Sequence, residues 1–282
     1  MGYIVSSAEE IDYKLNWMLY GLPGSGKTAL GATLQMHEDT TRVLILSIEG
    51  GIFSLKDMDW EKFSAPAVIH IDSLGVLEEV YFALVGNSKE FEGIQTVVVD
   101  SLTELAAKDL ESTVRRNLTK VSRTGKRRES VDDAWLEDRG EVTSRQARLI
   151  RGFRDMQYNF VATAHPRFTY MKDSDGMPRT DQPPLKCEPG FGERLRQHLC
   201  GYMDYVWYMK EGDGTYCDIL TRSRGPYYAK SRNNGWERFG EAIRWPKGTP
   251  LLADVWNSVI HDKPFPGKYK AIKVENKENV NE

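Results

Sequence analysis

Eight consecutive residues near the start of the chain have the types and spacing of a phosphate-binding loop. They are Gly21, Leu22, Pro23, Gly24, Ser25, Gly26, Lys27 and Thr28. Glycine lets the backbone come close to a ligand, so successive N–H groups can face phosphate oxygens at the start of a helix. Lys27 is predicted to neutralise the β- and γ-phosphates, and the Thr28 hydroxyl to ligate Mg²⁺. The motif therefore predicts binding of ATP with Mg²⁺.

A second metal ligand is predicted at Asp100, which closes the apolar run at 96–99. A carboxylate at the end of a central strand lies at the sheet edge where α/β proteins bind ligands, and it can hold Mg²⁺ directly or through water. Aspartate is also favoured just before a helix, so a capping role is the alternative. Ser101 could serve as that cap and leave Asp100 for the metal.

Two further polar residues follow apolar runs, at the same predicted edge. Glu49 comes after the run at 43–48 and precedes two glycines, which suits a general base that activates water; the alternative is an exposed surface glutamate. His165 comes after the run at 159–164. Its imidazole could report whether the γ-phosphate is present, and a core or capping histidine is an equal alternative.

Alternating strands and helices are predicted to position these residues. Continuous apolar runs at 15–20, 43–48, 67–71, 96–99 and 159–164 indicate buried strands, and apolar residues at helical spacing lie between them. This alternation is typical of a mostly parallel sheet that is covered on both faces. An α/β nucleotide-binding core is therefore expected over about 12–167.

The pattern changes beyond the core. Shorter β-like runs at 205–209, 216–221 and 227–229 are joined by turns that contain glycine, and a helical pattern follows at 251–259. These predict an antiparallel β extension of the sheet over about 168–263. The whole of 1–263 is expected to form one ATPase domain, and the polar residues 264–282 a flexible tail.

The amino-acid composition indicates which classes of protein the chain can belong to. The chain has 282 residues, 40% of them hydrophobic and 28% charged, with a net charge of −3, as expected for a soluble globular protein. There is no apolar run close to the roughly 18 residues of a membrane span and no signal-peptide pattern, so a cytoplasmic location without a membrane partner is expected. Cys187, Cys200 and Cys217 lack the spacing of a disulfide framework or a zinc site and are predicted to be core thiols.

Two segments are candidates for binding DNA. Between 115 and 128 no acidic residue interrupts the basic residues Arg115, Arg116, Lys120, Arg123, Lys126, Arg127 and Arg128. Such a patch can bind phosphates without regard to sequence, and a solvated charged loop is the alternative. In the second segment, 167–186, Phe168 and Tyr170 alternate with basic and polar residues before a turn. Aromatic side chains on a hairpin can stack on bases.

The order of these motifs resembles a known family. The segments GLPGSGKT, VLILSIEGG, TVVVDS and FVATAH, followed by Lys230 and Arg232 in a β-rich region, are similar to those of RecA-like AAA-type P-loop ATPases of bacteriophages. The likeness is to single-strand annealing recombinases related to RecA and the Rad recombinases, and it covers about 15–232. It implies a RecA-like fold, a catalytic role for Glu49, a Walker B role for Asp100 and a sensor role for His165.

The resemblance also implies partners. Lys230 and Arg232 match positive residues that reach ATP in a neighbouring subunit, which implies a homo-oligomer arranged as a ring or a filament. A cation supplied in this way stabilises the charge that spreads over the transferred phosphoryl group. A solvated basic strand end is the alternative reading of these two residues.

The activity that the resemblance implies is ATP hydrolysis by a protein that binds single-stranded DNA and promotes annealing or recombination, in the host cytoplasm if the protein is phage-encoded. A single-strand binding protein is a candidate partner. The chain lacks the separate assembly domain and the long C-terminal domain of bacterial RecA, so annealing or a helper ATPase role is expected rather than full strand exchange. The alternatives are a nucleotide or small-molecule kinase and a non-catalytic, nucleotide-gated DNA-binding module.

Overall fold

The computed structural model describes residues 13–60, 62–121, 130, 134–212, 214–232, 235–269 and 272. Among them lie eleven strands: β1 (Asn16–Gly21), β2 (Val43–Ser47), β3 (Ala67–His70), β4 (Thr96–Asp100), β5 (Asn159–Ala164), β6 (Pro166–Thr169), β7 (Lys186–Pro189), β8 (Tyr205–Glu211), β9 (Tyr216–Leu220), β10 (Lys230–Ser231) and β11 (Ala242–Pro246). β1, β2, β4 and β5 are buried at every residue. This confirms, for four of the five predicted runs, that continuous apolar runs form strands with both faces covered. The fifth run forms β3, which lies at the end of the strand order and is partly exposed.

The strands form a main sheet and a separate hairpin. The main sheet has the order β11-β9-β8-β1-β5-β4-β2-β3, with β10 also paired to β8. All strands from β8 to β3 in this order run parallel, whereas β9 and β10 are antiparallel to β8. β6 and β7 pair antiparallel as a two-stranded hairpin. The α/β class, with a mostly parallel central sheet and antiparallel strands in its C-terminal part, is confirmed.

Helices cover both faces of the sheet. The α-helices are α1 (Lys27–Ala32), α2 (Leu74–Val85), α3 (Leu102–Arg116), α4 (Leu136–Asp155), α5 (Glu193–Tyr202), α6 (Gly235–Phe239) and α7 (Leu251–Ile260). Short 3-10 helices span Thr33–Met36, Gly51–Leu55 and Lys89–Phe91. One core layer lies between the sheet and α2, α3, α4 and α5, and the other between the sheet and α1, α6 and α7. None of these helices combines the length and the apolar character needed to cross a bilayer, within the residues described.

One strand runs in the opposite direction from the expected one. β8 was predicted to belong to the antiparallel extension, but it pairs in parallel with β1, with Met209 opposite Gly21. Parallel neighbours need a crossover connection, which usually contains a helix. α5, which precedes β8, fills that role and was not predicted from the sequence. The change of direction therefore comes one strand later, between β8 and β9.

Two further boundaries differ from the sequence prediction. Residues 227–229 do not form a strand, and the short strand β10 begins only at Lys230. Instead, the Tyr227 ring stacks on that of Tyr208, with ring centroids 4.6 Å apart. The segment 264–269, expected to start a flexible tail, packs on the domain instead. Tyr269 is 4% exposed and its hydroxyl donates to Asp254 at 2.6 Å. Residues 273–282 of the predicted tail lie outside the described residues.

Candidate nucleotide-binding site

The loop between β1 and α1 requires glycine at three positions. A Cβ atom at Gly21 would lie 2.4 Å from the carbonyl oxygen of Met209 on the neighbouring strand β8, a distance that side chains do not tolerate. Gly24 and Gly26 have φ angles of 81° and 91°, in the left-handed region where glycine is favoured. The loop backbone can therefore turn sharply from the strand into the helix.

Lys27 is held inside this loop. Its side chain is buried, and its Nζ atom donates to the carbonyl oxygens of Gly21 and Leu22, each at 3.0 Å. Burial lowers the pKa of Lys27, while the charges of Glu49 and Asp100 act in the opposite direction. An ammonium group in this position can exchange the two carbonyl oxygens for phosphate oxygens, which are stronger partners for a cation.

The remaining loop residues also fit a phosphate ligand. Leu22 and Pro23 are exposed at the tip of the loop. The Ser25 hydroxyl is fully buried and has no hydrogen-bond partner among the described residues. Buried polar groups are almost always hydrogen-bonded in folded proteins. An oxygen-rich ligand in the loop would give this hydroxyl a partner.

Thr28 and Asp100 meet as the sequence predicts. The Thr28 hydroxyl donates to Oδ2 of Asp100 at 2.6 Å. The capping alternative for Asp100 does not apply, because the Ser101 side chain caps α3 and accepts from the backbone N–H of Glu104 at 3.3 Å. One hydroxyl and one carboxylate, both oxygen donors, fit Mg²⁺, which keeps several waters and takes few protein ligands.

Two residues of this edge were missed by the sequence analysis. Thr163, in β5, donates a hydrogen bond to Oδ1 of Asp100. Ser47, at the end of β2, pairs with Asp100 in the sheet register, and its buried hydroxyl has no partner within the described ranges. A polar residue near the end of an otherwise apolar strand is the signal that could have identified both.

Glu49 and His165 form a pair next to Thr28 and Asp100, the candidate metal ligands. Nε2 of His165 lies 2.6 Å from Oε1 of Glu49, and both side chains are partly exposed, by 25% and 34%. The backbone N–H groups of Ile48 and Glu49 donate to the carbonyl oxygen of Asp100, and the His165 N–H donates to the Thr103 hydroxyl. The backbones of the two predicted catalytic residues are therefore held by the end of β4 and the start of α3, which flank the candidate metal ligand Asp100.

Lys230 and Arg232 lie away from this site. Strand β10 pairs with the first residues of β8, whereas the phosphate loop adjoins the last ones, so about 10 Å of strand separates them. Lys230 donates to the carbonyl oxygens of Cys200 and Met203, both at 2.9 Å. Arg232 donates to Gly201 and forms an ion pair with Asp204. Within one chain these two residues therefore stabilise the end of α5.

The basic segment 115–128 is only partly described. Arg115 and Arg116, at the end of α3, form ion pairs with Glu111 and Glu141, and Lys120 is exposed. Arg123, Lys126, Arg127 and Arg128 lie outside the described residues. The two arginines that the structure describes are therefore already neutralised within the chain.

The second basic segment forms the hairpin of β6 and β7, which begins directly after His165. Phe168 is partly buried against the core, and its ring centroid lies 6.3 Å from that of Tyr170. Among the described residues, the side chains of Arg167, Lys172 and Lys186 have no acidic partner. These three cations lie in the same segment as Asp173, Asp175 and Asp181, in the hairpin that begins at the nucleotide edge.

Gly51 borders Thr28 and Asp100 and provides a test of whether they hold a metal. A Cβ atom added there would lie 3.5 Å from the Thr28 hydroxyl and 3.9 Å from Oδ2 of Asp100. These are ordinary contacts in the protein alone, but the methyl group would occupy space that the water ligands of Mg²⁺ need. We expect Gly51→Ala to fold normally and to need about tenfold more Mg²⁺ for half-maximal ATP turnover. A magnesium titration of the hydrolysis rate measures this.

The control for Gly51→Ala adds the same methyl group to α4. At Gly140 no atom lies within 4 Å of the added Cβ, so the Mg²⁺ requirement should not change. If Gly51→Ala and Gly140→Ala respond to Mg²⁺ like the unmodified protein, the metal does not lie between Thr28 and Asp100.

The chain was also compared with known proteins. A family model described as an AAA domain matches residues 14–233, which is more than three-quarters of the chain and contains every predicted site residue. No curated protein matches the chain significantly.

Proposed function

Since this chain belongs to the AAA domain family and carries an AAA-type P-loop ATPase core, we propose that it hydrolyses ATP in a reaction that depends on Mg²⁺. The observation that carries this proposal is the convergence of Lys27, Thr28, Asp100 and Glu49 at one edge of the sheet. Hydrolysis needs a phosphate-binding cation, metal ligands and a group that activates water, and these residues supply all three.

Each residue has a separate task in the proposed reaction. Lys27 binds and neutralises the terminal phosphates. Thr28 and Asp100 would hold Mg²⁺, which when bound would supply positive charge to stabilise the transferred phosphoryl group. Glu49 orients the attacking water and accepts its proton. His165, which contacts Glu49 at 2.6 Å, positions that carboxylate and can exchange it for the γ-phosphate. The pair is then a positioning device that senses the nucleotide.

A kinase is the first alternative. A kinase must exclude water from the γ-phosphate, whereas Glu49 lies beside Asp100 and is partly exposed, a position that suits water activation. Incubation with labelled ATP and a nucleoside monophosphate separates the two activities. Release of labelled inorganic phosphate supports hydrolysis, and transfer of the label to the monophosphate would show a kinase.

We further propose that single-stranded DNA binds at the β6–β7 hairpin and stimulates turnover, with annealing or recombination as the resulting activity. Two observations support this proposal. The hairpin begins one residue after His165, and its cations Arg167, Lys172 and Lys186 have no acidic partner among the described residues. Backbone phosphates bind such cations in a salt-dependent manner, and Tyr170 offers a ring for base stacking. Assembly into a ring or filament through Lys230 and Arg232 belongs to the same proposal.

DNA-stimulated hydrolysis gives the corresponding test. We expect single-stranded DNA to raise the ATP turnover of the protein, and moderate salt to weaken the effect. The Lys172→Ala/Lys186→Ala variant should keep its basal turnover and bind the DNA about tenfold more weakly. The control variant Lys62→Ala/Lys89→Ala removes the same charge at exposed positions that precede β3 and β4. Equal stimulation of both variants would exclude the hairpin as the DNA site.

If DNA does not change the turnover of the unmodified protein, the DNA part of the proposal fails. The kinase and the nucleotide-gated module then remain as readings of the site. Tight ATP binding without any turnover would single out the gated module.

A further inference from the structure

A lysine outside the phosphate-binding loop lies against it. Lys247 directly follows β11, which is antiparallel to β9, while β9 is antiparallel to β8. The carboxyl end of β11 therefore lies at the same sheet edge as the carboxyl ends of β8 and β1. Ligands of α/β sheets bind at this edge, so the position of Lys247 is suited to ligand contact.

A tight turn fixes the backbone of Lys247. The Thr249 N–H donates to the carbonyl oxygen of Pro246 at 3.2 Å, and Gly248 has a φ of 85°, which is the signature of a type II turn with Lys247 at its second position. The N–H of Lys247 donates to the carbonyl oxygen of Thr215 at 3.0 Å. The direction of the side chain is thereby set by the fold.

The side chain crosses the phosphate-binding loop at Gly26. A Cβ atom at Gly26 would lie 3.8 Å from Cε of Lys247 and 3.2 Å from the ring of Trp245. Trp245 is fully buried, and its indole N–H donates to the carbonyl oxygen of Thr249. The aliphatic part of Lys247 thus rests beside a rigid support, next to the residue that precedes Lys27.

The ammonium group of Lys247 has no partner in the part of the chain that the structure describes. Neither a hydrogen bond nor an ion pair of this group is found among the residues that the structure describes. The side chain is nevertheless partly buried, whereas lysines usually extend into water or pair with a carboxylate. An anionic ligand in the phosphate-binding loop would give this ammonium group a partner.

We propose that Lys247 is a second phosphate-binding residue of the nucleotide site, supplied by β11, and that it contacts the polyphosphate of ATP together with Lys27. The inference rests on the proposed nucleotide site and adds a contact from outside the motif. Two ammonium groups on one polyphosphate neutralise more of its charge than the loop alone.

Equilibrium binding of ATP to the Lys247→Met variant tests the assignment. Methionine retains most of the stem that packs at Gly26 and removes the charge. We expect the Kd for ATP to rise about tenfold, the loss that corresponds to one charge-assisted hydrogen bond. Lys247→Arg should restore binding, and Lys89→Ala, which removes an exposed lysine before β4, should leave it unchanged.

Inorganic tripolyphosphate, used as a competitor, identifies the part of ATP that is contacted. If Lys247→Met weakens tripolyphosphate as much as ATP, the contact is to phosphate. A loss for ATP alone would place the contact on the ribose or base and overturn the assignment. Unchanged ATP binding by Lys247→Met, while the unmodified protein binds ATP, would overturn the inference and leave the proposed function standing. Absence of ATP binding by the unmodified protein would instead refute the proposed function.

Discussion

A Glu49→Gln variant is expected to bind ATP as tightly as the unmodified protein and to lose its turnover by about a hundredfold or more, the range that removal of a general base produces. Glutamine has the shape of glutamate and can still accept a hydrogen bond from His165, which lies 2.6 Å away. It cannot take a proton from water. Binding is measured by calorimetry and turnover by phosphate release, so that the two effects are separated.

Glu104→Gln is the matched control for this change. Glu104 lies in the first turn of α3, four residues after Asp100, and no task in the proposed reaction is assigned to it. Glu104 is partly exposed, and its conversion to the amide should leave turnover within about twofold, as for a change outside the site. If Glu49→Gln retains full turnover, another group activates the water and Glu49 has no role as a base.

The second large effect is expected from Lys27→Met, which should lower the affinity for ATP by more than about a hundredfold. The Lys27 ammonium lies inside the loop and donates to two backbone carbonyls. Bound phosphate would take over these charge-assisted hydrogen bonds, and methionine can make none of them. A titration with a fluorescent ATP analogue measures the loss.

Lys108→Met controls for the loss of a lysine at the same sheet edge. Lys108 also donates to a backbone carbonyl, that of Ile48 at 3.0 Å, but it belongs to α3 rather than to the loop. We expect it to bind ATP with nearly normal affinity. If the two variants lose the same affinity, or if Lys27→Met is unfolded by circular dichroism, the loss does not come from a phosphate contact.

Those parts of the site that are contiguous in sequence could be predicted, and those that depend on distant strands could not. The loop at 21–28 is a local motif, and Asp100 and Glu49 each follow a single apolar strand, so one segment at a time is enough to identify them. Thr163 and Ser47 contact or adjoin Asp100 only because β5 and β2 flank β4. The sequence of a single strand does not reveal which strands lie beside it in the sheet.

The same dependence on distant segments explains the errors in the predicted fold. The strand β8 was identified, but its direction depends on the crossover helix α5, which is absent from the sequence prediction. The segment 227–229 has the aromatic residues of a strand, yet Tyr228 accepts a hydrogen bond from the Tyr20 hydroxyl and Tyr227 stacks on Tyr208. Tertiary contacts thus overrode local preference at these residues. Lys247 lies in a region that carries no motif, and only the sheet brings it to the loop.

The order of strands has a consequence for synthesis on the ribosome. β1 carries the loop and is made early, but its two neighbours are β5 and β8, which emerge much later. At translation rates of 5–20 residues per second, roughly 10 to 40 seconds separate β1 from the end of β8. Until β5 emerges, β1 is an apolar strand with two open edges, and one edge stays open until β8 emerges. Such a strand is the kind of segment that pairs with other nascent chains. The nucleotide site is therefore among the last parts of the domain to form, although its motif is among the first to be translated.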